Sequence, residues 1–173
     1  MDDTHPAETQ VTSVERLDLQ RYLGRWFEIG RLPLRFEDLH ARNITAQYSL
    51  RDDGTVRVDN RCLDDNGKPS QAIGRAVPDD GHEGRLRVSF LPPSLRWIPF
   101  ARANYWVLKI DDDYRYALVG TPDHKYLWLL SRTATVPPEI EAEYLDAARE
   151  QGFDLSEWIR PEQSGETVDD SDL

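Results

Sequence analysis

A chain of 173 residues with 39% hydrophobic and 10% aromatic content has the material for one folded domain and is not composed like a disordered chain. Its formal net charge of −11 argues against nucleic acid as a partner, because phosphate binding needs a basic patch. Cys62 is the one cysteine, which excludes an intrachain disulfide and a cysteine-based zinc site; the four histidines lack metal-ligand spacing, so neither metal nor cofactor is expected.

The first residues, MDDTHPAETQ, lack the basic and apolar regions of a secretory leader. The expected compartment is the cytoplasm, or the periplasm or outer membrane if a leader has been removed. Residues 1–16 are expected to be a flexible segment, 17–160 the folded domain, and 161–173 an acidic disordered tail.

From RWFEIGRL onward, period-two alternation broken by turn residues predicts strands. NITAQYSL, VRVDNRC, QAIGRAV and RLRVSF each have one apolar and one wet face, separated by RDDGT, DDNGKP and DDGHEG. After residue 103 the pattern changes: NYWVLKI, YALVGT and YLWLLSR are apolar on both faces and need cover on both. The cover follows in the chain. Pro137 and Pro138 suit a helix start, Gly152 its end, and Ile140, Tyr144, Ala147, Ala148 and Gln151 form one stripe. That helix is expected to pack outside against Trp106, Leu108, Ile110, Leu118, Leu127 and Leu129. The fold class is therefore all-β: an eight-stranded antiparallel up-and-down β-barrel with one C-terminal α-helix outside it. A two-sheet sandwich is the alternative. Small residues at Gly30, Ala46, Gly74, Ala76 and Ala117 favour a closed barrel with interior space.

LDLQRYLGRWFEIGRLPLRFE resembles the first signature of the lipocalins, and YALVGTPDHKYLWLLSRT resembles their second and third. The wording is similar to bacterial lipocalins, relatives of apolipoprotein D and of plant temperature-induced lipocalins. The resemblance spans about residues 17 to 160. It implies a structural set of Gly24, Trp26, Thr121, Asp123 and Arg132. Trp26 would plug the closed end with the Arg132 guanidinium across its ring, and Asp123 would accept backbone hydrogen bonds in the turn facing that plug. It also implies a cup for small hydrophobic ligands. The lipoprotein leader usual in the bacterial branch is absent from this sequence, so membrane anchoring is not carried over.

With Trp26 inward, alternation supplies the candidate ligand-contacting residues. They are Glu28, Ala46, Tyr48, Val58, Asn60, Gly74, Ala76, Val88, Phe90, Tyr105, Val107, Val119, Tyr126 and Trp128. The same rows hold Gly30, Ile44, Leu50, Val56, Cys62, Ala72, Leu86, Ala117 and Leu130. A solid β-core is the bland alternative. Glu28 needs a partner if buried; alternation offers Lys109, with tyrosine hydroxyl or Asn60 amide donors as the alternative. The mouth is expected to be formed by RLPLRFEDLHAR and LPPSLRWIPFARANY, with Leu34, Arg35, Phe36, Arg96, Trp97, Phe100 and Arg102 as gate residues. Its arginines suit an anionic head group, and its apolar residues a membrane surface or a homodimer contact.

The expected function is non-enzymatic carriage or storage of fatty acids, lysophospholipids or similar amphiphiles, with a role in membrane-lipid handling or stress. Three alternatives stand beside it: a thiol-dependent lipocalin enzyme using Cys62, an interaction module using residues 95–100, and haem binding through His40. No catalytic residue is assigned.

Overall fold

The computed structural model describes residues 9–34, 40–90 and 102–173. A helical turn, α1 (Leu19–Tyr22), leads into β1 (Gly24–Arg31), followed by β2 (Arg42–Leu50), β3 (Val56–Leu63) and β4 (Pro69–Asp79). The chain continues through β5 (His82–Phe90), β6 (Arg102–Ile110), β7 (Tyr116–Gly120) and β8 (Leu127–Ser131) to one long helix, α2 (Pro138–Glu150). The strands close in chain order, antiparallel throughout, with β1 hydrogen-bonded to both β2 and β8. Closure removes the unpaired edges an open sheet would expose.

Two apolar clusters follow from the two kinds of strand. The inner one runs from Trp26 through Tyr48, Val58, Val88, Val107 and Val119 to Leu130. The outer one joins Leu108, Leu118, Leu127 and Leu129 to Tyr144, Ala148 and Phe153. Leu118, Leu127 and Leu129 are fully buried because the barrel covers one side of their strands and α2 the other. Each such side chain contributes roughly 1.5–3 kcal/mol relative to exposure. Pro138 starts α2, Arg149 lies in its last turn, and Gly152 adopts φ +90° just past its end.

Two β-bulges correct the expected strand faces. In β1 the register shifts between Glu28 and Gly30, and in β6 between Val107 and Lys109. Each extra residue resets the alternation beyond it. Gly30 therefore faces outward, where an added Cβ would meet the Trp158 ring at 2.2 Å. Lys109 faces α2, its Nζ 5.1 Å from the centre of the Tyr144 ring, and cannot be the partner expected for Glu28. Ile110 packs with the inner cluster rather than under α2. Leu50, expected inside, is 47% exposed at the end of β2.

Both terminal segments also depart from expectation. Within residues 9–16, Val11 is buried, Val14 N donates to Val107 O at 2.8 Å, and Thr12 N donates to Gln151 Oε1 at 2.8 Å. Residues 161–173 run along the outer wall instead of trailing away. Asn43 N donates to Glu162 O at 2.9 Å, Gln163 Nε2 to the carbonyls of Glu28 and Ile44 at 2.9 Å each, and Arg61 Nη1 to Val168 O at 3.0 Å. The composition is that of a solvated tail, but the wall supplies partners for its backbone.

Candidate functional site: the barrel interior

An up-and-down barrel sends alternate connections to opposite ends. The β2–β3, β4–β5 and β6–β7 turns lie where β1 begins and β8 finishes. That end is shut. Arg132, just after β8, lays its guanidinium 3.7 Å over the Trp26 ring. It also donates to the carbonyls of Arg21, Tyr22, Leu23, Arg25 and Tyr114 at 2.8–3.2 Å. Trp26 is fully buried and its Nε1 donates to Tyr22 O at 2.9 Å. Gly24 adopts φ +101°, and a Cβ there would sit 3.3 Å from Arg132 Nη1. A side chain would be strained at that φ and would crowd the guanidinium.

The turn facing this plug is not the expected one. Thr121 and Asp123 stand between β7 and β8, at the opposite end. Asp123 Oδ1 does accept from Thr121 Oγ1 at 2.6 Å and from Lys125 N at 3.0 Å, but that turn lies at the mouth end. The plug faces the β6–β7 turn, where Asp111 Oδ1 accepts from the amides of Arg115 and Tyr116 at 2.7 Å each. Tyr114 takes φ +54° there, and its hydroxyl accepts from Asp18 N at 2.9 Å. Counting strands in the meander would have assigned the correct turn.

Above the plug, Tyr22, Tyr48 and Tyr105 meet. Tyr105 Oη contacts Tyr22 Oη and lies 2.9 Å from Tyr48 Oη. Burial pushes the pKa of Tyr48 up to about 12 and those of Tyr22 and Tyr105 well above the usual phenol value, so all three stay neutral. Higher still, Glu28 carries a partner the sequence reading missed. Arg31 Nη1 donates to Glu28 Oε2 at 2.9 Å, with both side chains buried. Arg31 pairs with Trp128 and Glu28 with Leu130, both inner-cluster neighbours, so the β1 bulge brings residues three apart to one face.

Most of the expected interior set is gathered in this space. Tyr48, Val58, Ala76, Val88, Val107 and Val119 are buried members of the inner cluster, and Ala46, Phe90, Tyr105 and Trp128 pack against it. Tyr126 stacks on Trp128 with ring centres 6.2 Å apart. Half-buried Asn60 pairs with Ala46 and Ala72 in the same row. Gly74 leaves less room than expected, because a Cβ there would meet the Phe90 ring at 2.8 Å. Cys62 is half-buried opposite Ser70.

At the mouth, Leu34 is half-buried and Arg102 opens β6 opposite Ser89. Arg35, Phe36, Arg96, Trp97 and Phe100 lie outside the described residues. His40 is exposed, its amide donating to Asp65 Oδ1 at 3.2 Å.

The lipocalin-like domain family model matches residues 17–163. Temperature-induced lipocalin-1 of Arabidopsis thaliana is 41% identical, over 93% of this chain and 86% of its own. Outer membrane lipoprotein Blc of Escherichia coli K12 is 41% identical over 90% and 84%, and mouse apolipoprotein D 31% over 87% and 79%. Among solved structures, insecticyanin from the tobacco hornworm Manduca sexta shares the fold with a TM-score of 0.65 at 22% identity, covering 94% of this chain and 86% of that one. The chain belongs to the lipocalin family, whose members bind small hydrophobic ligands.

Proposed function

We propose that the barrel carries or stores an amphiphile, a fatty acid or a lysophospholipid, without catalysing a reaction on it. The apolar chain enters among Ala46, Val58, Val88, Phe90, Val119 and Trp128, and the anionic head stays at the mouth near Arg35, Arg96 and Arg102. The observation that carries this reading is the inner apolar cluster, shut at one end by Trp26 and Arg132. Pockets of this composition, apolar with a few placed polar groups, are the usual form of small-molecule sites. The name of the Escherichia coli relative, an outer membrane lipoprotein, supports a role in membrane-lipid handling.

Tryptophan fluorescence tests the reading. Trp128 packs against the inner cluster and Trp106 against the outer one. Dodecanoic acid titrated into the protein should change the emission and saturate near one ligand per barrel. The change should vanish in Trp128→Phe and persist in Trp106→Phe. No saturable change in wild type would overturn the proposal.

A further inference from the structure

Inward side chains change from buried to half-buried at one depth of the barrel. On β2 the change falls between Tyr48, 7% exposed, and Ala46, and on β3 between Val58, 3% exposed, and Asn60. On β5 it falls between Val88 and Phe90, and on β8 between Leu130 and Trp128. In each strand the half-buried residue stands on the mouth side. Ala103 of β6 pairs with Val88 and is exposed. Below this line Val107, Ala117 and Val119 are fully buried, and Tyr22 stacks on Tyr48 with ring centres 5.6 Å apart. The void left beside these rings, bounded by Val56, Ala76, Leu86 and Val88, measures about 10 Å³, room for no more than one water-sized atom. A methylene chain would pass this layer only by displacing packed side chains.

The depth above the layer follows from the strands. From Asn60 to the mouth-side end of β3 at Leu63, the strand climbs roughly 10 Å along the axis, at about 3.3 Å per residue and a tilt of about 40°. An extended alkyl chain advances about 1.25 Å per carbon, from C–C bonds of about 1.5 Å at angles of about 111°, so about eight carbons fill that depth. We infer that the cup is shallow, with Tyr48, Val58, Val88 and Leu130 as its floor, and that it selects amphiphiles by the length of chain it encloses. The ligand class is one with a short apolar part, about eight carbons; the rest of a longer chain stays outside the barrel. This rests on the reading of the interior as an amphiphile cup.

The test is a series of straight-chain alkanoates, hexanoate to hexadecanoate, titrated into wild type by calorimetry below their micellar concentrations. Affinity should rise about three- to fourfold for each added methylene up to about eight carbons, the worth of burying one CH₂, and then stay level to hexadecanoate. A gain that continues to hexadecanoate would overturn the shallow cup and leave the carrier reading standing. The Tyr48→Ala variant removes a ring from the floor and should move the plateau to longer chains. An unmoved plateau would also overturn the inference, because the stop would then lie elsewhere than this floor. Failure of every alkanoate to bind saturably would overturn the carrier reading itself.

Discussion

Arg132 directs its guanidinium at five backbone carbonyls and the Trp26 ring. Its cation–π contact with Trp26 is worth about 0.5–2 kcal/mol depending on desolvation. The hydrogen bonds tie the turn before β1 and the β6–β7 turn to the end of β8. Trp26→Ala should destabilise the fold by about 3–5 kcal/mol, the usual loss for a large buried aromatic. Arg132→Ala should cost less. Urea denaturation of both single variants and the double variant should give a coupling of about 0.5–2 kcal/mol, since the ring and the guanidinium are in contact. Strict additivity would mean that the stack contributes nothing. Glu28 and Arg31 show the other use of a buried charge, held in the wall by mutual pairing where an isolated one would be expelled or neutralised.

At the scale of elements, the β1 bulge links the interior to the C-terminal segment. It turns Arg31 inward beside Glu28, and it leaves Gly30 bare on the outside for Trp158 to cover. The backbone of Arg31 then pairs with Ile159, N to O at 2.9 Å and O to N at 2.8 Å. Farther along, Asp59 is a second anchor. Burial raises its pKa, but hydrogen bonds from Arg61 and Gln71 and the charges of Arg61 and Arg57 outweigh that and hold it below the usual carboxylate value. Arg61 reaches from Asp59 to Val168 O and Asp170. Gly30→Ala should dislodge Trp158, because no rigid indole can tolerate a carbon at 2.2 Å. Amide hydrogen exchange should then speed up at Ile159 and residues 162–168 while the amides of β3–β5 keep their protection. Unchanged exchange at Ile159 would mean that the segment holds without the Trp158 contact.

For the whole molecule, closure sets a gradient along the barrel axis: a sealed end, a tyrosine layer, an ion pair in the wall, then the mouth. The amphiphile proposed as ligand would enter this gradient tail inward. If arginines hold the head at the rim, as proposed, dodecanoic acid should bind about tenfold or more tightly than dodecanol at low salt, the worth of a charge-assisted hydrogen bond. Raising the salt should shrink that preference while dodecanol binding holds, because screening acts on the exposed charges and not on the buried chain. Equal affinities from calorimetry at low salt would remove the arginine rim and leave the apolar cup.

The architecture was legible in the sequence because its signals are local. Period-two alternation marks each strand, the doubly apolar runs at β6–β8 require a covering helix, and Pro138 and Gly152 bound that helix by backbone preferences of their own. Trp26, Gly24 and Arg132 could be singled out by resemblance, and the inner row from Ala46 to Trp128 by alternation from Trp26. The end faced by Asp123 was also legible, by counting strands, though the reading assigned it wrongly. What only the tertiary structure decided depends on a second strand or surface. A bulge is defined by what pairs opposite it, so Gly30, Arg31, Lys109 and Ile110 could not be given faces from their own segments. The last residues look like a solvated tail until the outer wall of β1–β3 offers Arg61, Asn43 and the carbonyls of Glu28 and Ile44, partners that exist only after the barrel has closed.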